Sequence, residues 1–319
     1  MKKIKFRTFD GVKLTATVFH PRRIPASGVP AVLIVEGSGK SPDRKDSAVS
    51  PFYQLGRILA RDGYYVLTYN KRGSGSNTGN GSFYRSGFWM DNKDAQAALD
   101  FLSSAAHIDK SRIFLLGQSM GGVHITFLAR KNRVAGNIYF AAAFKEFKET
   151  LRQQNADILG FLGKSRRAIA LELKKIAKML HAIETGNFCA SDYTDICRKI
   201  EGANIIDGVQ ERYFREVLKI DSARELAKLD IPLLILQGTS DFVINLNDLQ
   251  AAKNALRKAG EKNARLKILP KVDHIFSDQP DKAASFKYMV KIGKTGRFKP
   301  VSKKALHEIR EFLSAHNKT

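Results

Sequence analysis

The sequence has only two cysteines, Cys189 and Cys197, among its 319 residues. Two thiols cannot build the disulfide framework of a small secreted domain. No CxxC motif or Cys/His cluster with the ligand spacing of a zinc site is present either. We therefore expect two reduced cysteines and neither a bound metal nor a cofactor.

Long hydrophobic runs are also absent. No apolar run approaches the roughly 18 residues that a membrane-spanning helix needs. The first residues, MKKIKFR, are basic, but a strand-like alternation follows them instead of the apolar segment of a signal peptide. We expect a cytoplasmic protein without a membrane span.

Acidic residues are few relative to basic ones. The chain has 54 Lys and Arg against 31 Asp and Glu, a formal net charge of +23, and residues 144–230 are nearly neutral. The densest basic stretch contains no acid and comprises Lys287, Lys291, Lys294, Arg297, Lys299, Lys303 and Lys304. Because no recognised nucleic-acid motif accompanies it, we interpret it as a solvated surface and expect no nucleic-acid partner.

The residues that are present indicate a parallel sheet. Residues 3–6 and 12–19 read as a hairpin with its turn at Asp10-Gly11. Four short, continuous apolar runs follow, each ending in a loop that contains glycine, at 31–35, 64–69, 113–116 and 231–236. Strands that are buried on both faces have this pattern.

Helical stretches alternate with these strands. They lie at 51–61, 91–103, 245–258 and 305–316, and a further strand is expected at 264–269. This alternation predicts an α/β protein with right-handed crossovers on a doubly wound sheet.

Residues 144–220 interrupt the alternation. They are rich in helix-forming residues and lack a buried-strand run. One predicted helix has an apolar face formed by Ile169, Leu173, Ile176, Leu180 and Ile183. We interpret the face as a packing surface, and we expect part of this insertion to face a substrate, because it lies between strands whose carboxyl-terminal loops should carry the chemistry.

The sequence Gly117-Gln118-Ser119-Met120-Gly121 fits the pattern G-x-S-x-G. It lies directly after a buried strand and before a predicted helix at 123–130. A serine at such a junction occupies a strained turn that lifts its hydroxyl above the sheet edge. We predict Ser119 as a nucleophile; the alternative is an ordinary glycine-rich loop.

A serine hydroxyl needs a base to accept its proton. Six of the seven histidines lie on strands, on helices, in the insertion or before the nucleophile strand: His20, His107, His124, His181, His307 and His316. The seventh, His274, follows a late strand in the loop 271–276, where it can reach over the sheet edge. We predict His274 as the general base.

The base in turn needs an acid that sets its tautomer. Asp241 stands just past the end of the strand at 231–236. Asp273 is the main rival, but adjacent loop residues rarely present their side chains to one another, and Asp248 falls inside a predicted helix. We predict Asp241.

Two backbone N–H groups should stabilise the negative charge that develops in the reaction. We predict the N–H of Met120, which follows the nucleophile, and the N–H of Ser38 in the loop 36–39. The alternative for this loop is a phosphate-binding turn, but it lacks the third glycine and the lysine pattern of such turns.

With these residues identified, the chain resembles the α/β-hydrolase superfamily over nearly its full length. Three features carry the resemblance: the order Ser119…Asp241…His274, the segment Lys71-Arg72-Gly73-Ser74-Gly75-Ser76, which is similar to an R-G-x-G-x-S loop, and Gly37-Ser38-Gly39 followed by Asp43-Arg44. The last is similar, with one extra residue, to the G-S-G-x-x-D-R signature of bacterial carboxylesterases related to the prolyl-oligopeptidase-like hydrolases.

The resemblance implies an α/β-hydrolase fold, that is, a mostly parallel eight-stranded sheet with a helical cap. The core would comprise 1–143 and 221–319, and the cap 144–220. Two positions depart from the family. Glu36 stands where many relatives have His, beside the expected oxyanion hole, and Asn70 replaces an acid that usually forms a structural salt bridge.

We expect a cofactor-independent serine carboxylic ester hydrolase that acts on small-molecule esters of short to medium chain length. The rivals are a peptidase or amidase and an acyltransferase with the same triad; no β-propeller precedes the catalytic domain to gate peptides, which disfavours a peptidase. A non-catalytic binding protein on the same scaffold is disfavoured by the complete triad. Acyl and alcohol specificity and oligomeric state are not encoded in any recognisable pattern.

Overall fold

The computed structural model describes residues 1–41, 50–83, 85–189, 192, 211–260 and 263–317. Asp43, Arg44 and Cys197 lie outside the described residues. Cys189 is exposed and forms no disulfide within the described residues. In the described part of the chain no helix is long and apolar enough to cross a membrane.

Eight strands form one sheet in the order β1-β2-β4-β3-β5-β6-β7-β8. β2 pairs antiparallel with both β1 and β4, and the remaining pairs are parallel. The strands are β1 (Lys2–Arg7), β2 (Lys13–Phe19), β3 (Val29–Val35), β4 (Tyr65–Tyr69), β5 (Ile108–Gln118), β6 (Gly136–Phe140), β7 (Leu233–Gly238) and β8 (Ala264–Leu269).

Ten α-helices connect or flank these strands within the described residues. They are α1 (Pro51–Arg61), α2 (Phe88–Ser104), α3 (Met120–Ala129), α4 (Phe147–Phe161), α5 (Arg166–Thr185), α6 (Glu211–Val217), α7 (Ser222–Leu226), α8 (Leu246–Lys258), α9 (Lys282–Thr295) and α10 (Lys303–His316). A short 3-10 helix spans Gly75–Asn77.

The helices cover both faces of the sheet. On one face, α2, α3, α7 and α8 pack on the sheet through residues such as Leu99, Leu128, Leu226 and Leu256. On the other, α1 and α10 pack through residues such as Leu55, Leu59, Ile309 and Phe312. Both faces of the central parallel strands are therefore buried, and the predicted doubly wound sheet is confirmed.

The patterns missed β6, the short helix α7 and α9. β6 begins with Gly136 and Asn137 and contributes only three apolar residues, so it lacks a recognisable run. Asn137 is nonetheless fully buried, because its side-chain amide donates to the Tyr139 hydroxyl over 2.9 Å. α9 lies in the basic stretch, where Phe286 and Tyr288 turn inward while the lysines are exposed.

The insertion between β6 and β7 contains α4, α5, α6 and α7. The predicted apolar face of α5 is a packing surface: Ile176, Leu180 and Ile183 are buried in a cluster that includes Phe214 of α6. α6 is also attached to helix α2, because the Glu216 carboxylate accepts a hydrogen bond from the Trp89 N–H over 3.0 Å.

The basic stretch has one buried and one exposed side. All seven of its basic side chains are exposed. Lys304 pairs with Asp278 over 3.0 Å, and Lys299 donates to the Gln279 side chain over 3.0 Å. The stretch is therefore an exposed basic surface, and the absence of a nucleic-acid partner stays a prediction.

Helix α3 begins unusually close to the sheet. A Cβ added to Gly121 would lie 2.1 Å from the Val35 carbonyl oxygen, and one added to Gly117 would lie 2.5 Å from the Gly121 carbonyl oxygen. The two glycines therefore permit the approach that brings the end of β5 and the start of α3 together.

We expect Gly121→Ala to lower the free energy of unfolding by about 1–3 kcal/mol or more, since the backbone carbonyl of Val35 cannot move aside without disturbing β3. Gly160→Ala in α4 is the matched control, because open space surrounds its Cβ position. It should stabilise the protein by about 0.4–1 kcal/mol. Urea unfolding midpoints would measure both, and equal effects of the two substitutions would contradict this packing argument.

Candidate active site

Ser119 lies at the turn between β5 and α3 with φ 55° and ψ −126°. A positive φ is unfavourable for a residue that carries a side chain, so the surrounding packing must hold the turn. Its N–H donates to the Phe140 carbonyl over 3.0 Å, which fastens the turn to the end of β6. The predicted strained junction is present, at the carboxyl edge of the parallel strands.

Asp241 and His274 are brought together from the loops after β7 and β8. His274 Nδ1 lies 2.9 Å from Asp241 Oδ2. The other carboxylate oxygen, Oδ1, accepts the N–H groups of Val243 at 2.8 Å and Ile244 at 2.9 Å, and Asp241 is fully buried. A carboxylate held in this way keeps the proton on Nδ1 and leaves Nε2 of the imidazole free to accept one.

Asp273 has a different environment. Its Oδ1 accepts the N–H groups of Ile275 at 3.0 Å and Ser277 at 2.7 Å, so the side chain closes the loop that carries His274. Burial raises the pKa of Asp273 to about 6. The carboxylate that the structure places against the imidazole is thus that of Asp241, not that of Asp273.

No hydrogen bond joins the Ser119 hydroxyl to His274 within the described residues. Their segments are nevertheless neighbours. The Gln118 side-chain amide donates to the His274 carbonyl over 3.1 Å, and the Phe140 and Phe276 rings stack at 3.6 Å. The proton-transfer contact between Ser119 and His274 therefore stays a prediction.

The loop 36–39 runs against the nucleophile. A Cβ added to Gly37 would lie 2.6 Å from the Ser119 Cβ. The Gly37 N–H is already used, since it donates to Gln118 Oε1 over 3.2 Å. Ser38 is exposed, and its N–H has no acceptor within the described residues; Met120 is the first residue of α3, so its N–H has no acceptor within the helix.

Gln118 and Lys71 are two residues of this site that the sequence did not single out. Gln118 connects the loop 36–39 with the His274 loop through its side-chain amide. The Lys71 Nζ donates to the carbonyls of Gly37 and Gly39, the latter over 2.8 Å. Neither role leaves a local signal, because each contact joins segments far apart in the chain.

Glu36, the first of the two departures from the family pattern, lies beside a cation and a hydrogen-bond donor. Burial raises the pKa of Glu36 to about 7, against the opposing effects of the Lys71 charge and of a hydrogen bond with Ser41. A carboxyl that is partly protonated near neutral pH and faces a cation repels a developing oxyanion less than an isolated carboxylate would. Glu36 is therefore compatible with an oxyanion hole beside it.

Asn70 cannot form the salt bridge that the family's acid forms at this position, and two acids from elsewhere in the chain pair with Arg72 instead. Arg72 Nε lies 2.7 Å from Asp94 Oδ2 in α2, and Arg72 Nη1 lies 2.9 Å from Asp10 Oδ2 in the turn after β1. The buried Arg72 guanidinium is therefore not an unpaired charge, because both carboxylates face it. A salt bridge is present at this turn, but it is made by Asp10 and Asp94 instead of an acid at position 70.

The comparisons with known proteins agree on the family and the fold. The family model described as serine aminopeptidase, S33, matches residues 35–280, well over half of the chain. Esterase EstD of Thermotoga maritima is 23% identical over 265 residues, which cover 82% of this chain and 58% of that protein. The chain thus spans a little over half of the length of this relative.

Solved structures share the architecture. The α/β hydrolase GrgF from Penicillium sp. superposes with a TM-score of 0.60 at 16% identity, over 99% of this chain and 98% of that one. The Pyrococcus furiosus esterase Pf2001 does so with a TM-score of 0.60 at 14% identity, over 99% and 91%. At such identities these likenesses concern the fold, and they confirm the α/β-hydrolase fold.

We expect Asp241→Asn to slow the labelling of Ser119 by a fluorophosphonate by about 10⁴-fold, as when the acid of a serine triad becomes an amide. An amide nitrogen opposite Nδ1 would favour the wrong imidazole tautomer. Asp273→Asn is the control: an Asn oxygen can still accept the N–H groups of Ile275 and Ser277, so the loss should be much smaller. A larger loss in Asp273→Asn than in Asp241→Asn would show that the wrong acid was assigned.

Proposed function

Because the chain belongs to the serine aminopeptidase S33 family of α/β hydrolases, we propose that it is a cofactor-independent serine carboxylic ester hydrolase with Ser119, His274 and Asp241 as its catalytic triad. The observation that carries the proposal is the nucleophile turn: Ser119 at φ 55°, beside a histidine whose Nδ1 lies 2.9 Å from a buried aspartate.

In the first half of the proposed reaction, the Ser119 Oγ attacks the ester carbonyl carbon while His274 Nε2 takes the hydroxyl proton. The carbonyl oxygen becomes an oxyanion that the N–H groups of Ser38 and Met120 stabilise. The intermediate then breaks its bond to the alkoxy oxygen, which leaves as the alcohol with the proton from His274. An acyl group remains on Ser119.

In the second half, a water molecule attacks the acyl carbon and gives a proton to His274. The ester bond to Ser119 breaks, the Oγ regains the proton, and the carboxylic acid leaves. Asp241 stays ionised throughout and stabilises the imidazolium that exists in both halves. Its three other hydrogen bonds, from Val243, Ile244 and the Gln237 side chain at 3.1 Å, support that role.

Ester hydrolysis is favoured over the rivals by the curated relative, which is itself described as an esterase. The family description favours a peptidase as the second candidate. An ester and an amide with the same acyl group separate the two: a higher kcat/KM on the amide would support the peptidase. Product analysis with added alcohols or thiols tests for an acyltransferase.

The substrate range follows from the apolar surroundings of the nucleophile turn. Met120 lies in a cluster with Phe88 of α2 and with Tyr213 and Val217 of α6. The contacts of α6 with α2 hold this part of the insertion against the core. They support the proposal of a fixed cap, and an enclosed pocket beneath it is a further part of that proposal. We therefore propose soluble esters of short to medium chain length as substrates.

Replacing Ser119 by Ala should abolish labelling by a fluorophosphonate and reduce ester turnover on the order of 10⁴–10⁶-fold, because it removes the hydroxyl that would carry the acyl group. Ser104→Ala, at the exposed end of α2, is a serine-to-alanine control and should keep both activities. Mass spectrometry of the labelled peptide would identify the site. Undiminished labelling of Ser119→Ala would refute the nucleophile assignment.

The kcat/KM for p-nitrophenyl esters should rise with acyl length by about fourfold per methylene, the equivalent of about 0.8 kcal/mol of burial, until the pocket is full. It should then fall, and emulsified long-chain triglycerides should react poorly. A series of acyl chains from acetate to palmitate would measure this. Activation at a lipid interface with preference for long chains would instead indicate a mobile lid.

A further inference from the structure

A small polar cavity lies next to the start of the loop 36–39. Its volume is about 10 Å³, room for about one water molecule, and its lining includes Glu36, Lys71, Asp91 and His124. Burial lowers the pKa of His124 to about 3, so this imidazole is neutral at ordinary pH. The cation among these groups is Lys71.

The Lys71 ammonium reaches from the end of β4 into the turn after β3. It donates to the Gly37 carbonyl and, over 2.8 Å, to the Gly39 carbonyl, the two carbonyls that flank Ser38. Lys71 is 9% exposed, so water does not compete freely for these bonds. A single buried donor group thus binds both sides of the residue whose N–H is assigned to the oxyanion hole.

Because the peptide group is planar, the hydrogen bond from Lys71 to the Gly37 carbonyl also sets the direction of the Ser38 N–H. The Gly37 carbonyl and the Ser38 N–H belong to one peptide group, and in a trans peptide they point in opposite directions. With the carbonyl held towards Lys71, the N–H must point away from the ammonium. Without the ammonium, the peptide group between Gly37 and Ser38 could rotate, because Gly37 is flexible, and the N–H would lose its fixed direction.

The backbone of Lys71 is itself held in place. The Lys71 backbone N–H donates to the Ser41 hydroxyl over 3.0 Å, and the Ser41 backbone N–H donates to the Ser74 hydroxyl over 3.2 Å. The next residue, Arg72, is fixed by its ion pairs with Asp94 and Asp10. The loop 36–39 is therefore attached to a segment with little freedom of its own.

The Lys71 amine is buried beside two carboxyl groups. Burial lowers the pKa of Lys71, and the charges of Asp91 and Glu36 oppose that effect. Asp91 is buried in the first turn of α2 and belongs to none of the proposed catalytic groups. A buried ammonium that serves only as a counter-charge would not need to contact two carbonyls of this loop.

We propose that Lys71 is a positioning residue of the oxyanion hole: by binding the Gly37 and Gly39 carbonyls it directs the Ser38 N–H towards the oxygen that becomes negative in the reaction. This inference rests on the proposed ester hydrolysis. The amine touches no reacting atom, so its effect acts through the peptide group between Gly37 and Ser38.

The test compares Lys71→Met with Asp91→Asn. The first removes both bonds to the loop at nearly constant side-chain length; the second changes the charge of the same cavity and leaves the bonds in place. We expect Lys71→Met to lower kcat for a soluble ester by about 10²–10³-fold, the effect of losing one oxyanion donor, with KM changed less than threefold. Asp91→Asn should keep kcat within about threefold of wild type, whatever its melting temperature.

A second readout separates positioning from general damage. A trifluoromethyl ketone inhibitor forms an oxyanion on the nucleophile, so its Ki should rise by the same factor by which kcat falls, while the Ki of the product carboxylic acid should not change. If Lys71→Met fails to fold, the double variant Lys71→Met/Asp91→Asn removes one charge of each sign from the cavity and serves instead.

Three results would overturn the proposal. One is a kcat for Lys71→Met, or for the folded double variant, that matches Asp91→Asn. Another is a loss confined to KM, and the third is an inhibitor Ki that stays at the wild-type value. Wild-type protein that neither hydrolyses esters nor is labelled at Ser119 would refute the proposed function itself and the Lys71 assignment with it, so the two failures are distinguishable.

Discussion

The strained turn at Ser119 is the constraint on which the rest of the site depends. A serine at φ 55° persists only where its neighbours leave no alternative, and here Gly121, the second residue of α3, lies against the Val35 carbonyl. That approach places β3 next to β5, so the loop 36–39 emerges beside the nucleophile. The parallel order β5-β6-β7-β8 then delivers the loops of Asp241 and His274 to the same edge. A change in the turn would therefore misplace every other group at once.

Buried polar groups hold the loops around this turn. Gln118 connects two of them, and Asp241 accepts hydrogen bonds on both oxygens. Lys71 and Arg72 bring two further charges inside and pair them with carboxylates and carbonyls. Burying a charge is costly unless it is paired and hydrogen-bonded, so such groups favour one arrangement of the loops and penalise the others. Their contribution is to precision of geometry more than to stability.

Much of the fold and of the candidate site could be predicted, because two physical signals are local. Buried parallel strands read as short apolar runs followed by glycine, and this pattern located β3, β4, β5 and β7. β8 lacks such a run, because polar residues alternate with its apolar ones. The carboxyl ends of parallel strands meet at one edge, which made the order of Ser119, Asp241 and His274 informative. The patterns missed β6 and α9 because polar residues interrupt the apolar positions. In β6 the interruption is the buried Asn137, and in α9 it is a lysine-rich exposed face.

By itself, the sequence determined what short-range sterics decide, namely the nucleophile turn, the hairpin, and the alternation of strands and helices. Only the tertiary structure decided which buried groups meet. That Asp241 and not Asp273 faces His274 depends on how two loops cross. That Arg72 pairs with Asp10 and Asp94, and that Lys71 binds the Gly37 carbonyl, depends on segments joined only by folding. Such contacts carry no periodicity along the chain, because polar partners are chosen by distance in space and not by spacing in sequence.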